Sequence, residues 1–408
     1  MRCRHCGSEL EITLLDLGSA PPSNAYLTAQ TLLAPELWLP LRLRVCDTCW
    51  LVQTEDYAKP DALFAADYAY FSSFSSSWLA HCQRFVEAII PRLNLSTSSR
   101  VCEIAANDGY LLQYFQRADI PCYGIEPTAG TAAVARDRGI AMIEAFFGLE
   151  LADRLVDEGQ SADLLIANNV LAHVPDINDF VGGFARLLKP SGVASFEFPH
   201  LLRMLEDSQF DTAYHEHYSY LSLTSVTRIF ARNGLMVCDV EEWPTHGGSL
   251  RVLAQRSDTR THAVTAAVTA MLKREAAAGV ASQSFYNGFQ GRAETIKNDI
   301  LAFLIDARRG GHSVAAYGAA AKGNTLLNFA GVRPDLLPYV VDRNPAKQGR
   351  FLPGSRIPVV AEPRLEIDRP DYILILPWNL RDEVIQQLAY ARDWGAKFVT
   401  AIPGLSVI

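Results

Sequence analysis

The chain has 408 residues, too many for one hydrophobic core, so two or three domains are expected. Apolar residues make up 49% and charged residues 20%, and the net charge of −8 speaks against a nucleic-acid partner, which calls for a basic surface. No apolar run of about 18 residues occurs and MRCRHCGSEL carries no apolar leader, so the reading is a cytoplasmic protein without a membrane partner.

Residues 1–60 are read as a first, small domain. Two knuckles, Cys3-x-x-Cys6 and Cys46-x-x-Cys49, supply four of the eight cysteines. Four thiolates are what Zn²⁺ takes in a closed tetrahedral site, with no position left for catalysis. A structural zinc is therefore expected, with His5 a bystander inside the first knuckle. Cys82, Cys102, Cys122 and Cys238 stand alone and read as small buried hydrophobes.

Residues 61–255 read as a second domain. WLAHCQRFVEAIIPR, residues 78–92, has the spacing of an amphipathic helix ended by Pro91. Then strand and helix signals alternate: VCEIA, a turn at ANDG, YLLQYFQRA, the strand PCYGIEP, the helix TAAVARDRG, the strand ADLLIAN, the helix DINDFVGGFARLLKP and the strand GVASFEFP. Alternation of this kind implies a parallel sheet with right-handed crossovers. In such sheets ligands sit beyond the carboxyl ends of the strands. Three ends qualify: Glu103-Ile104-Ala105-Ala106-Asn107-Asp108-Gly109, then Glu126, then Asn168 and Asn169. An acidic residue after the second strand suits a ribose diol. Phe146 and Phe147 are placed to cover an adenine ring. NAD would need a Gly-x-Gly-x-x-Gly turn against its pyrophosphate. IAANDGYL offers one glycine and an aspartate there, which repels phosphate but tolerates the ammonium and sulfonium of S-adenosylmethionine. S-adenosylmethionine is the cofactor expected.

Residues 256–408 read as a third domain. Two helices lead into HSVAAYGAAAKGNTLLNFAG, a second strand-turn-helix unit, followed by the strands LPYVVDRNP and DYILILPWN. This is a smaller Rossmann-like fold, which suggests a second nucleotide-bearing ligand. The small residues around Gly318 admit backbone N–H groups to a diphosphate, and Lys322 adds a charge. Asn324, Asp342, Arg343 and Asn379 complete the expected substrate-binding set.

One short stretch concentrates titratable side chains: Tyr214-His215-Glu216-His217-Tyr218-Ser219-Tyr220. A zinc-protease helix needs histidines four apart. Here they are two apart, which puts both on one face of an extended segment with Glu216 opposite. With CRHC, CDTC, EIAANDGYLL, GIEP, NNVLAHVPD, YHEHYSYLS, YGAAAKGNTLLN, VDRNPAKQGRFLPG and LPWN all present, the chain resembles the bacterial nucleotide-sugar C-methyltransferases over essentially its whole length. The resemblance implies a zinc-binding domain, a central class I methyltransferase domain and a C-terminal Rossmann-like domain. It implies methyl transfer to a carbon of a 4-keto deoxysugar carried on a nucleoside diphosphate, commonly thymidine diphosphate; membership of that family does not fix the sugar or the carbon, and C-3 is the carbon expected.

A sugar carbon has no lone pair, so methylating it requires removal of an α-proton and stabilisation of an enolate. The resemblance makes His217 the base, with Tyr214 and Glu216 contacting the sugar or orienting that base. His173 is the next proton-handling candidate, and Tyr68 and Tyr70 reach over the pocket from the preceding segment, Tyr68 as a catalytic group and Tyr70 as a substrate contact. His215, Tyr218 and Tyr220 read as structural, and His246 in THGGSL as either a substrate loop or a plain turn. The partner is a small sugar nucleotide, and the chain is expected to act as a monomer or weak homo-oligomer. O- or N-methylation of a related sugar, or a non-catalytic binding protein on a methyltransferase fold, are the alternatives.

Overall fold

The computed structural model describes residues 1–55, 57 and 72–408. Tyr68 and Tyr70 lie outside the described residues. Three sheets organise the rest.

The first sheet has the order β1-β2-β3-β9, from β1 (Ile12–Ala20), β2 (Leu39–Val45), β3 (Val52–Thr54) and β9 (Ser219–Tyr220), all pairs antiparallel. Its last strand comes from the histidine-rich stretch, some 165 residues downstream of β3: Val52 pairs with Tyr220 and Gln53 with Ser219. The amino-terminal unit is therefore stitched into the centre of the chain.

The central sheet has the order β10-β11-β8-β7-β4-β5-β6, from β4 (Val101–Ile104), β5 (Cys122–Ile125), β6 (Ala141–Ile143), β7 (Ala162–Asn168), β8 (Leu188–Pro199), β10 (Leu235–Trp243) and β11 (Ser249–Arg256). It is parallel from β6 to β8, but β11 runs antiparallel to both of its neighbours. The wholly parallel sheet expected from βα alternation is thus corrected at one edge. Thr245–Gly248 joins β10 and β11 as a tight connection, which only antiparallel strands allow. The helix before β4 spans Ser76–Leu93, capped by Ser75 accepting from the Trp78 amide, and Pro91 sits inside its last turn rather than ending it. Asn94, left-handed at φ 53°, ends the helix instead.

The third sheet has the order β14-β13-β12-β15-β16-β17, from β12 (Val314–Tyr317), β13 (Val340–Val341), β14 (Val359–Val360), β15 (Tyr372–Ile375), β16 (Lys397–Thr400) and β17 (Ser406–Val407). All its pairs are parallel except the last. The helix Phe289–Arg309 leads into it, burying Phe289, Ala293, Ile296, Ile300, Leu304 and Ala307 at helical spacing.

One apolar core crosses between units. It joins Leu15 and Leu43 of the first sheet, Leu201, Met204 and Phe210 of the central region, and Phe289, Leu326 and Leu374 of the third. This shared core fixes the third sheet's carboxyl edge against the segment 209–217 of the centre. Among the described residues no helix is long and apolar enough to cross a membrane.

Candidate active site

The four knuckle cysteines meet. Their sulfur atoms all lie within 4.8 Å of one another, with Cys3–Cys49 and Cys6–Cys46 each at 3.5 Å. Sulfurs held tetrahedrally around zinc at about 2.3 Å sit about 3.8 Å apart, so the set fits that ion. Gln53, buried, donates from Nε2 to Cys3 Sγ at 3.3 Å, and the Cys49 amide donates to Cys46 Sγ, the partners a thiolate wants. His5 turns away and bonds Asn178 Oδ1 through Nδ1.

At the carboxyl edge of the central sheet, β4 opens into a loop with Ala105 (φ 55°), Asn107 (φ 50°) and Gly109 (φ 76°) in left-handed conformation. A Cβ on Gly109 would come within 2.4 Å of Ile140 Cδ1, so the turn needs glycine on both counts. The loop crosses to the next strand end: the Asn107 amide donates to Glu126 Oε2 at 3.0 Å, and the Thr128 amide to Oε1 at 2.9 Å. Glu103 is fully buried, with the Tyr110 side chain hydrogen-bonded to its carboxyl. Burial pushes its carboxyl well above the usual range, with the charges of Asp108 and Glu126 adding to it. Asn168 Oδ1 and Asn169 Oδ1 are buried without donors among the described residues. This edge is a row of acceptors, which matches a donor-rich, cationic ligand and disfavours a pyrophosphate.

Two of the expected cofactor residues also make contacts within the protein. The half-buried Phe147 packs its ring 5.7 Å from Phe180 and 5.3 Å from Phe184. Phe146 remains exposed. Asp108 is fully buried; its Oδ2 is 3.6 Å from Arg138 and accepts from the Ser73 hydroxyl, while Oδ1 has no partner among the described residues.

The histidine-rich stretch is a turn, closed by the His217 amide on the Tyr214 carbonyl at 2.9 Å, and not an extended face. The turn splays its side chains. His215 Nε2 holds the carbonyls of Leu39 and Pro40 in β2. The buried Glu216 carboxyl accepts from Asn24 Nδ2 at 3.2 Å, and burial raises its pKa. His217 Nδ1 lies 3.0 Å from the Thr212 carbonyl, which can only accept, so Nδ1 carries the proton. Nε2 then presents its lone pair, and the Tyr214 hydroxyl donates to it at 2.7 Å. Burial holds His217 neutral, far below the usual histidine range. His173 stands beside it, ring centroids 4.6 Å apart, its Nδ1 donating to the Glu216 carbonyl at 2.8 Å. Burial lowers His173 to about 4. Tyr220 hydroxyl receives the Tyr214 amide at 3.3 Å, and Tyr218 packs under Arg4.

His246 belongs to this group as well. It sits left-handed at φ 55° between β10 and β11, with Nε2 3.1 Å from Asn169 Nδ2 and its ring 5.5 Å from Trp78. Below it, Thr245 bonds the buried Glu197, which also receives Arg251 at 2.7 Å and His81 at 2.8 Å. The sequence showed no signal for this buried cluster, since its members lie on four separate elements. Asp211 was also missed, although it stands three residues before Tyr214: fully buried, it accepts from Trp378 Nε1 at 2.8 Å, and burial lifts it to about 6.

The third sheet contributes Lys322, Trp378 and Asn379. Lys322 Nζ donates to Asn379 Oδ1 at 2.6 Å and lies 4.3 Å from the Trp378 ring centre. The other expected sugar-nucleotide residues point elsewhere. Asn324 bonds the Ser23 carbonyl, Asp342 takes the Ala319 amide and pairs with Lys347, and the exposed Arg343 pairs with Glu362. In the turn expected to cradle a diphosphate, the amides of residues 318, 319 and 320 are bonded within the protein, and the Tyr26 hydroxyl donates to the Ala319 carbonyl.

A parallel sheet with an antiparallel strand at one edge, an acceptor-lined cleft at its carboxyl end and a neighbouring thiolate cluster define a methyltransferase with a zinc-binding unit. Comparison with known families agrees: residues 3–64 match a zinc binding domain, 78–240 a methyltransferase domain and 244–403 the C-methyltransferase C-terminal domain. C-methyltransferase NovU from Streptomyces niveus is 34% identical over 406 residues, which is 100% of this chain and 96% of that protein. The chain belongs to the C-methyltransferase family and is an S-adenosylmethionine-dependent enzyme of it. A ubiquinone biosynthesis O-methyltransferase from Bradyrhizobium sp. (strain ORS 278) is 28% identical over 117 residues, 28% of this chain and 45% of that protein. Magnesium protoporphyrin IX methyltransferase from Synechocystis PCC 6803, solved with bound SAM, aligns at 17% identity and a TM-score of 0.33 over 44% of this chain and 82% of that one.

Proposed function

We propose that the acceptor is C-3 of a 4-keto deoxysugar carried on a nucleoside diphosphate, thymidine diphosphate first among them. The observation that carries this reading is the tautomer of His217. Its Nδ1–H is fixed on Thr212, so Nε2 is a neutral base aimed along the Tyr214 hydroxyl. Transfer to a hydroxyl can use a general base, whereas removal of a proton from carbon requires one, and His217 Nε2 beside Tyr214 is placed for it.

The α-proton passes to His217 Nε2 along the line now held by the Tyr214 hydroxyl, and the C–H electron pair moves into the carbonyl to give an enolate. When bound, S-adenosylmethionine would supply the electrophilic methyl group, the enolate pair forming the new C–C bond as the S–CH₃ bond breaks to a neutral thioether. Glu103, Ala105, Asn107, Gly109, Glu126, Asn168 and Asn169 are the residues that would hold it, Glu126 at the ribose. Glu216 positions His173 through its carbonyl and ties the turn to Asn24. Zinc in the four-cysteine site is structural, pinning β3 and through it β9 beneath the base.

The test is solvent deuterium wash-in. With dTDP-4-keto-6-deoxyglucose and S-adenosylhomocysteine in D₂O, the enzyme should introduce deuterium at C-3, and His217→Asn should slow this by roughly 10²–10⁴-fold. Exchange at C-5, the other carbon beside the ketone, would correct the position. Methylated product without any exchange would move the reading to oxygen or nitrogen.

A further inference from the structure

Resting on that reading, we propose that Lys322, delivered by the C-terminal domain, is the cation that stabilises the enolate oxygen, and not a clamp for the diphosphate. Three observations carry this. First, the amides of residues 318, 319 and 320, the loop part of the turn before Lys322, are bonded within the protein and closed to a phosphate. Second, Lys322 faces the centre of the molecule. It stacks on Trp378, whose indole bonds Asp211, one residue from the Thr212 carbonyl that orients His217. The same indole lies so close to Gly247 that a Cβ there would come within 2.5 Å of it, which places Lys322 beside the His246 loop. Third, the ammonium makes one hydrogen bond among the described residues, to Asn379, leaving two N–H groups for a ligand. His173, Tyr214, His246, Lys322, Trp378 and Asn379 each keep partial solvent exposure while surrounded by protein, as the walls of one cleft do.

The electrostatics agree. Around Lys322 stand His217 and His246, both held neutral, and, among the described residues, the carboxyl of Asp211. Burial lowers the lysine to about 8, opposed by Asp211. A cation with so little compensation is set to receive an anion that appears during the reaction. On α-proton removal the charge resides on the former ketone oxygen, and a Lys322 N–H donates to it. Protonation of that oxygen is not required, so the lysine keeps its proton throughout.

Lys322→Met and Lys322→Gln should be compared with the wild-type enzyme, using dTDP-4-keto-6-deoxyglucose as the probe. Both variants should lower kcat and the saturated deuterium wash-in rate together, by about 100-fold, with KM for the sugar nucleotide changed less than about threefold. Lys322→Arg should restore part of the wash-in. A raised KM with wash-in at saturation unchanged would overturn the proposal and return Lys322 to the diphosphate. Melting temperature with S-adenosylhomocysteine shows that each variant is folded, and the Gln variant serves if the Met variant is not. Absence of wash-in in the wild type would instead remove the enolate reading itself.

Discussion

His173 offers a prediction that depends on sign as well as size. In the folded chain it is neutral down to about 4, because burial disfavours its charged form more than the Glu216 carbonyl favours it. In the unfolded chain it titrates near 6.5. The unfolded state therefore binds the extra proton first, so the contribution is fully present above pH 6.5 and is lost as pH falls toward 4. A drop of this size is worth at most about 3 kcal/mol, and the ring's partial exposure to the cleft reduces it to about 2. Wild-type stability alone will not show it. Asp211, Glu103 and Glu216 have raised pKa values, and their contributions run the other way, declining as pH rises. The difference between wild type and His173→Asn removes those shared terms, since an asparagine amide can still donate to the Glu216 carbonyl. Urea unfolding of both proteins at pH 7.5, 6, 5 and 4 should show the difference shifting by about 2 kcal/mol against the wild type, nearly all of it below pH 6.5. A difference constant to within about 0.5 kcal/mol would mean His173 is not neutral in the fold, and the paired-histidine chemistry would lose its footing.

Other expectations follow from the same geometry. Metal analysis should find one zinc per chain, and Cys46→Ser should release it and lower the melting temperature, since closed sulfur sites contribute directly to folding. Glu126→Ala removes the acceptor of two backbone amides at the cofactor edge, so KM for S-adenosylmethionine should rise at least tenfold in initial-rate assays. Arg251→Ala leaves the fully buried Glu197 without its guanidinium, and denaturant unfolding should register a loss of roughly 3–5 kcal/mol.

Much of this arrangement was legible in the chain because it is local. The cysteine knuckles, the strand ends at Glu103, Glu126 and Asn168, and the turn residues around Gly109 all signal themselves within a few neighbours. The histidine-rich stretch was conspicuous, but its shape was not. Spacing alone suggested an extended face, whereas the Tyr214–His217 turn sends His215, Glu216 and His217 to three different partners. What spacing could not reveal is pairing across distance. Nothing in Val52-Gln53 announces that Ser219-Tyr220 will be its neighbour, and His81, Glu197, Thr245 and Arg251 are unremarkable until the sheet brings them together.

The third sheet carries the clearest departure. A Rossmann-like unit with a small-residue turn suggests its own nucleotide, yet Tyr26 and Lys347 close on the Ala319 carbonyl and Asp342 caps its amide. The unit is instead anchored through a common core to the other two, and its carboxyl edge supplies Lys322, Trp378 and Asn379 to the central cleft. Physical chemistry gives a reason for such reuse. An enolate is most strongly stabilised where water is excluded and the opposing charge is already in place. A methyltransferase sheet supplies one open edge for its cofactor and no lid over the acceptor. On the proposal made above, a second fold set against that edge would close the space and fix Lys322 in it, while Thr54 Oγ1 of the first sheet donates to the His217 carbonyl. On the proposed reading, proton removal and methyl donation belong to the central unit and charge stabilisation to the third, and the core they share is what would hold these groups in register.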